Sequence, residues 1–175
     1  MIPTNPTADL RALLLTGGGG AGRTTVAQAI GRILTSQNLP TAVVDLDALA
    51  QFGPNTGPAI YDQLRSLNLA ALWTNYRDAG ARHVIVSGAI DSPAQRTLYA
   101  GCLTGCDIQI ARIVTTLDLV VERTTGTNRG PRWNLQSALD SHQQIADAAL
   151  EDFSVTNNLE PADAAQEILT RAGWL

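Results

Sequence analysis

Cysteine, charge and long apolar runs are all scarce in this chain, and each scarcity removes a class of protein. Only Cys102 and Cys106 are cysteines. They stand four apart in an apolar segment with no second Cys or His pair, so they read as buried free thiols rather than a zinc site or a disulfide. Charged residues make up 16% of the 175 positions and the net charge is −4. That balance argues against a general nucleic-acid or anionic-membrane surface and confines any basic function to a local cluster. No stretch reaches the ~18 uninterrupted apolar residues of a membrane span. Met1 to Asp9 contains two prolines and no apolar core, unlike a secretory signal. The expectation is a cytoplasmic protein with no membrane or nucleic-acid partner, disordered over residues 1–9. Neither a repeat nor a low-complexity linker interrupts the chain, and 45% apolar content at this length suits a single domain over 1–175. His83 and His142 have no sequence neighbour that suggests catalysis or metal binding, and read as surface histidines.

What the chain does have is glycine concentrated in one place. Gly17-Gly18-Gly19-Gly20-Ala21-Gly22 is followed by Arg23-Thr24-Thr25, where a short apolar segment gives way to a helical pattern. A phosphate-binding loop of the Walker A type requires Gly, four residues, Gly, Lys, then Ser or Thr, and Gly17 to Thr24 meets every position except the lysine, here Arg23. Glycines let backbone N–H groups turn inward toward phosphate oxygens, and the following helix adds its positive N-terminal dipole. None of this needs lysine. Arginine brings a wider planar fork in place of a compact charge, so phosphate binding is better supported than turnover.

Apolar runs suited to buried parallel strands lie at Leu10 to Thr16, Thr41 to Asp45, His83 to Ser87, Ile108 to Val114 and, more weakly, Asp152 to Thr156. Helical patterns separate them at Thr24 to Gln37, Pro58 to Ala79, Ser92 to Gly101, Thr116 to Thr124, Asn134 to Leu150 and Glu160 to Ala172. In the second of these, Ile60, Leu64, Leu67, Leu72 and Tyr76 supply the apolar positions and Asn68 marks a break or bend. Such alternation predicts an α/β fold: a parallel sheet covered by helices on both faces, with ligands at the carboxyl ends of the strands.

Three segments near those ends carry candidate chemistry. Val43-Val44-Asp45-Leu46-Asp47 puts two carboxylates where a strand ends. If the segment stays extended, both share one face and can serve a hydrated magnesium ion (Asp45) and a substrate hydroxyl (Asp47); otherwise they cap the next helix. Residues 124–133, with Arg129 and Arg132 between Gly126, Gly130 and Pro131, suit a lid whose arginines stabilise a transferred phosphoryl group, or a solvated loop. Trp133 either stacks on a base or anchors that segment by core or hinge packing, and packing is the preferred reading. Ser87 and Gly88, with Arg96 one turn into the following helix, either leave space for a second substrate or let helix and sheet pack closely.

These elements resemble the P-loop small-molecule kinases, a group that includes adenylylsulfate kinase, shikimate kinase and chloramphenicol phosphotransferase. The resemblance spans most of the chain and rests on Leu15 through Ala27 and on Val43 through Leu49. It implies a five-stranded P-loop NTPase sheet of order 2-3-1-4-5 with a short lid. It further implies that Gly17, Gly18, Gly19, Gly20, Ala21, Gly22, Arg23, Thr24 and Thr25 hold the phosphates of ATP or GTP, and that Thr24 and Asp45 support Mg2+. The resemblance also implies that Asp47 orients or deprotonates the hydroxyl of a small acceptor, and that Arg129 and Arg132 match an Arg-x-x-Arg lid. Glu151 to Asn157 resembles the last strand and adenine-side loop. Missing are the Asn-Arg pair of adenylylsulfate kinases and a shikimate carboxylate clamp. Thr24-Thr25-Val26 with Asp45 and Asp47 also resembles partitioning ATPases, which carry a further lysine where Gly17 or Gly18 stands here. The implied activity is transfer of the γ-phosphoryl group to an alcohol; the alternative is a nucleotide-binding module with little turnover. A homodimer is compatible with the sequence and not specified by it.

Overall fold

A computed structural model describes residues 10–125, 134–158 and 160–175. Five parallel strands, β1 (Arg11–Thr16), β2 (Thr41–Asp45), β3 (His83–Ser87), β4 (Asp107–Val114) and β5 (Phe153–Thr156), form one sheet in the order β2-β3-β1-β4-β5. Six α-helices connect them: α1 (Arg23–Ser36), α2 (Pro58–Asp78), α3 (Pro93–Cys102), α4 (Leu117–Thr125), α5 (Leu135–Ala148) and α6 (Pro161–Arg171), with a short 3₁₀ helix at Leu46–Ala50. The expected sheet order holds. Its reason lies in β1 and β3: all but Arg11 of their residues are buried, as central strands covered on both faces must be.

Period-two geometry splits the core. Leu13 and Leu15 point to the face covered by α1 and α6, where Val26, Ile30, Leu34, Ile168 and Leu169 pack. Ala12 and Leu14 point the other way, to Leu69 and Trp73 of α2, Tyr99 of α3 and Leu103 just after it. The helices start where capping chemistry allows. Ser92 Oγ accepts from Gln95 N ahead of Pro93, and Asn134 Oδ1 accepts from Ser137 N. Among the described residues no helix is long and apolar enough to cross a membrane.

Several expectations need correction. The long helix α2 runs unbroken through Asn68, whose side-chain amide donates to Leu49 O and so ties the helix to the 3₁₀ turn. Its buried stripe is Ser66, Leu69 and Trp73, while Ile60, Leu67 and Tyr76 are exposed; Trp73 decides the orientation because its Nε1–H reaches Thr104 O at 3.1 Å. His83 is buried, edge-on to the Trp174 ring at 5.1 Å, and is no surface residue. Cys102 and Cys106 are free and partly buried, as expected, and burial raises both thiol pKa values, that of Cys106 to about 11. Residues 1–9 and 126–133, including Arg129, Arg132 and Trp133, lie outside the described residues. Thr124 and Thr125, expected to begin the lid, close α4.

Candidate phosphate-binding site

The glycine run leaves the end of β1 and delivers the chain to α1 at the carboxyl edge of the sheet. Thr16 anchors its base: the buried hydroxyl donates to Ile90 O (3.2 Å) and accepts from Ile90 N (3.1 Å), joining the loop to the turn after β3. Gly22, at φ 89°, precedes the helix, and a Cβ there would stand 2.5 Å from Asn157 Nδ2. Position and conformation therefore both demand glycine. Asn157, 2% exposed, donates from Nδ2 to Ala21 O at 2.8 Å and leaves its Oδ1 buried without a partner. Arg123, at the end of α4, donates to Gly20 O (3.0 Å) and to Asn157 O (3.2 Å). Two distant elements thus hold the outer curve of the loop through its carbonyls. A cleft of about 300 Å³ opens on the inner side, lined by glycines of the loop, Arg23, Thr24, Thr25, Arg123, Asn157 and Pro161.

Arg23 sits at the first position of α1 with Nη1 buried and unpartnered. Burial lowers its pKa, and the carboxylates of Asp47 and then Asp45 oppose that shift. A guanidinium stays charged in this setting, and a buried donor without a partner is a cost that an anion at the loop would relieve. The replacement of lysine is not peculiar to this position: all twelve basic residues of the chain are arginine.

Thr24 and Asp45 come together, Thr24 Oγ1 donating to Asp45 Oδ2 at 3.4 Å. Two hard oxygen donors beside a phosphate cleft fit Mg2+, which takes few protein ligands and completes its shell with water and phosphate. Among the described residues there is no cluster of three or more His, Cys, Asp or Glu that could hold a metal ion.

Asp45 and Asp47 do not lie along one extended face. Asp45 Oδ1 accepts from Asp47 N at 2.9 Å, so Asp45 caps the 3₁₀ helix as well as facing Thr24. Asp47 is exposed, near enough for its charge to act on Arg23, and Arg65 Nη2 approaches its carboxylate to 3.8 Å. Arg65 was not singled out from the sequence, since its significance depends on α2 crossing the 3₁₀ turn. It also pairs with Asp62 at 3.4 Å and keeps a buried, unpartnered Nε. Asp62 in turn accepts from Tyr99 Oη at 2.9 Å and from Gln95 Nε2 at 3.3 Å. Burial first, then the Asp62 hydrogen bond and charge, push the Tyr99 hydroxyl pKa up.

Of the remaining candidates, Ser87 ends β3 and is buried at the sheet edge. Gly88 serves packing rather than substrate space: Leu46 fills the room, and a Cβ would stand 2.6 Å from its Cδ1. Arg96 is drawn to Asp152 at 3.9 Å and does not line the cleft at the loop. The residue the sequence reading missed most clearly is His142. It is half-buried on the glycine loop, with Nε2 2.8 Å from Gly19 O. Its partner is a backbone carbonyl 123 positions away, which no local pattern reveals.

No protein-family model and no curated protein sequence matches the chain. Solved structures do. The tunicamycin resistance protein of Deinococcus radiodurans superposes with TM-score 0.67 at 18% identity, covering 93% of this chain and 95% of that one. An APS kinase of Mycobacterium tuberculosis, in complex with AMPPNP and APS, gives TM-score 0.61 at 20% identity over 94% and 98%. A shikimate kinase of Acinetobacter baumannii, in complex with shikimate, gives 0.65 at 17% over 94% of each chain. The chain has the fold of the P-loop kinases.

Proposed function

We propose that this P-loop kinase fold works as a phosphotransferase that binds ATP or GTP with Mg2+ in the Gly17–Thr25 loop and moves the γ-phosphoryl group to a hydroxyl of a small molecule. The observation that carries the reading is the meeting of four groups beside the loop: Arg23 with a buried unpartnered Nη1, Thr24 against Asp45 at 3.4 Å, and the exposed Asp47 whose charge acts on Arg23. Inward N–H groups and the α1 dipole bind the phosphates. Thr24 and Asp45 would hold a magnesium ion, which would supply neutralisation of phosphate charge. Arg23 places its guanidinium where the lysine of the motif would act, and its fork suits phosphoryl oxygens. Asp47 accepts the proton of the acceptor hydroxyl or orients it, and Arg65 fixes the carboxylate's direction. Arg129 and Arg132 enter this reading through the resemblance alone, as lid arginines that add charge stabilisation.

A nucleotide-binding protein with little turnover is the second reading, favoured by Arg23. The uniform use of arginine across the chain weighs against treating Arg23 as an isolated lesion. The test is a screen of hydroxylated metabolites for γ-phosphoryl transfer from Mg-ATP and Mg-GTP, with Asp47→Asn as the control. Transfer should fall roughly 10²-fold or more in the variant while nucleotide affinity stays unchanged. Nucleotide binding absent at millimolar concentration would sink both readings; a fully active variant would remove Asp47 from the chemistry.

A further inference from the structure

Helix α5 lies across the glycine loop and takes hold of one residue in it. Gly19 N donates to Ser141 Oγ at 2.9 Å, and Ser141 Oγ passes its own proton on to Ala138 O at 2.7 Å. One residue further along, His142 Nε2 sits 2.8 Å from Gly19 O. A carbonyl only accepts, so Nε2 carries the proton. The imidazole also packs on Gly18, where a Cβ would stand 2.3 Å from His142 Cγ. The loop is therefore glycine at position 18 because a ring occupies the space, and both peptide planes that flank the Gly19 Cα are pinned by a single turn of α5.

The pinning has a directional consequence. Peptide planes are trans, so the C=O of Gly19 and the N–H of Gly20 point opposite ways from the same plane. Drawing Gly19 O onto His142 turns the Gly20 N–H away from α5, toward the cleft that Gly20 lines. Gly19 N–H is spent on Ser141. Of the two peptide planes that α5 pins, only the one carrying the Gly20 N–H is left to serve a ligand, at an outer part of the loop three residues ahead of α1. A phosphate chain whose inner members sit on the N–H groups of α1 presents its terminal member to that outer end.

We propose that Ser141 and His142 are positioning residues that aim the Gly20 N–H at the terminal phosphate of a bound nucleoside triphosphate, and so set the preference for triphosphate over diphosphate. The proposal rests on the phosphate-loop reading above. Its test is calorimetric affinity for Mg-AMPPNP and for Mg-ADP in the full chain, wild type against His142→Ala, His142→Gln and Ser141→Ala. Glutamine Nε2 can replace the imidazole donor without the ring. The alanine variant at 142 should bind Mg-AMPPNP about tenfold more weakly and Mg-ADP within about threefold of wild type, the loss expected of one directed hydrogen bond. His142→Gln should recover most of the triphosphate affinity. Should His142→Ala fail to fold, Ser141→Ala, which keeps the ring on Gly18, carries the same expectation at about threefold or more. Equal losses for both nucleotides, no loss for either, or a selective loss that glutamine leaves unrepaired would overturn the proposal. Wild type that binds neither nucleotide would overturn the phosphate-loop reading itself, a distinct result.

Discussion

Replacing Gly22 by alanine should destabilise the fold by about 2–4 kcal/mol, and the structure says where each part arises. Gly22 sits at φ 89°, where an L side chain costs about 1–2 kcal/mol. The new Cβ would also stand 2.5 Å from Asn157 Nδ2, so the amide must move and its 2.8 Å bond to Ala21 O is lost. Leaving those buried groups unpaired costs about 1–3 kcal/mol more, partly offset by relaxation. Urea unfolding gives the number directly, provided the slope with denaturant is unchanged. Gly101→Ala is the internal control: this glycine lies inside α3 with nothing within 4 Å of a built Cβ. There the same added methyl should stabilise by up to about 0.5–1 kcal/mol through helix propensity. A Gly22→Ala change below about 0.5 kcal/mol would refute the reasoning, because it would mean that neither the backbone conformation nor the Asn157 contact constrains the loop.

Three other outcomes follow from the same geometry. Arg23→Lys should lower nucleotide affinity and any turnover, because lysine cannot supply two forked contacts; a tenfold rate increase with affinity kept would instead mark Arg23 as a lesion. Gly88→Ala should displace Leu46 and with it the 3₁₀ turn that carries Asp47, lowering transfer more than nucleotide affinity; transfer assays beside calorimetry would expose an unaffected enzyme. Cys106, its pKa pushed by burial to about 11, should react with iodoacetamide at pH 8 at least roughly 100-fold more slowly than in urea-unfolded chain, and equal rates would contradict its burial.

Much of the fold was readable because its signals are local. Strands buried on both faces appear as uninterrupted apolar runs, and the observed strands match them to within a residue at either end. The glycine loop between β1 and α1 was readable for the same reason, since its signal belongs to one short stretch of backbone. What escaped was set by contacts distant in sequence. The extended reading of Asp45 and Asp47 failed because Asp45 takes Asp47 N as a cap, an option every Asp offers and only the tertiary setting selects. The apolar stripe on α2 was misassigned because Trp73 and Leu69 outweigh the larger number of aliphatics on the exposed side. His142, Ser141 and Arg65 draw their importance from backbone or side chains on other elements, and nothing adjacent to them in the chain says so.

The bond from Asn157 to Ala21 spans 136 residues, and it sets a schedule for synthesis. At elongation rates of 5–20 residues per second, the partner that completes the loop is made roughly 7–27 s after the loop itself. Until it leaves the ribosome the glycine stretch has its hold from α5 but lacks the Asn157 bond to Ala21. If the loop binds nucleotide as proposed, that binding reports completion: a chain stalled before β5 should bind more weakly than the released one, because Asn157 is missing from its loop.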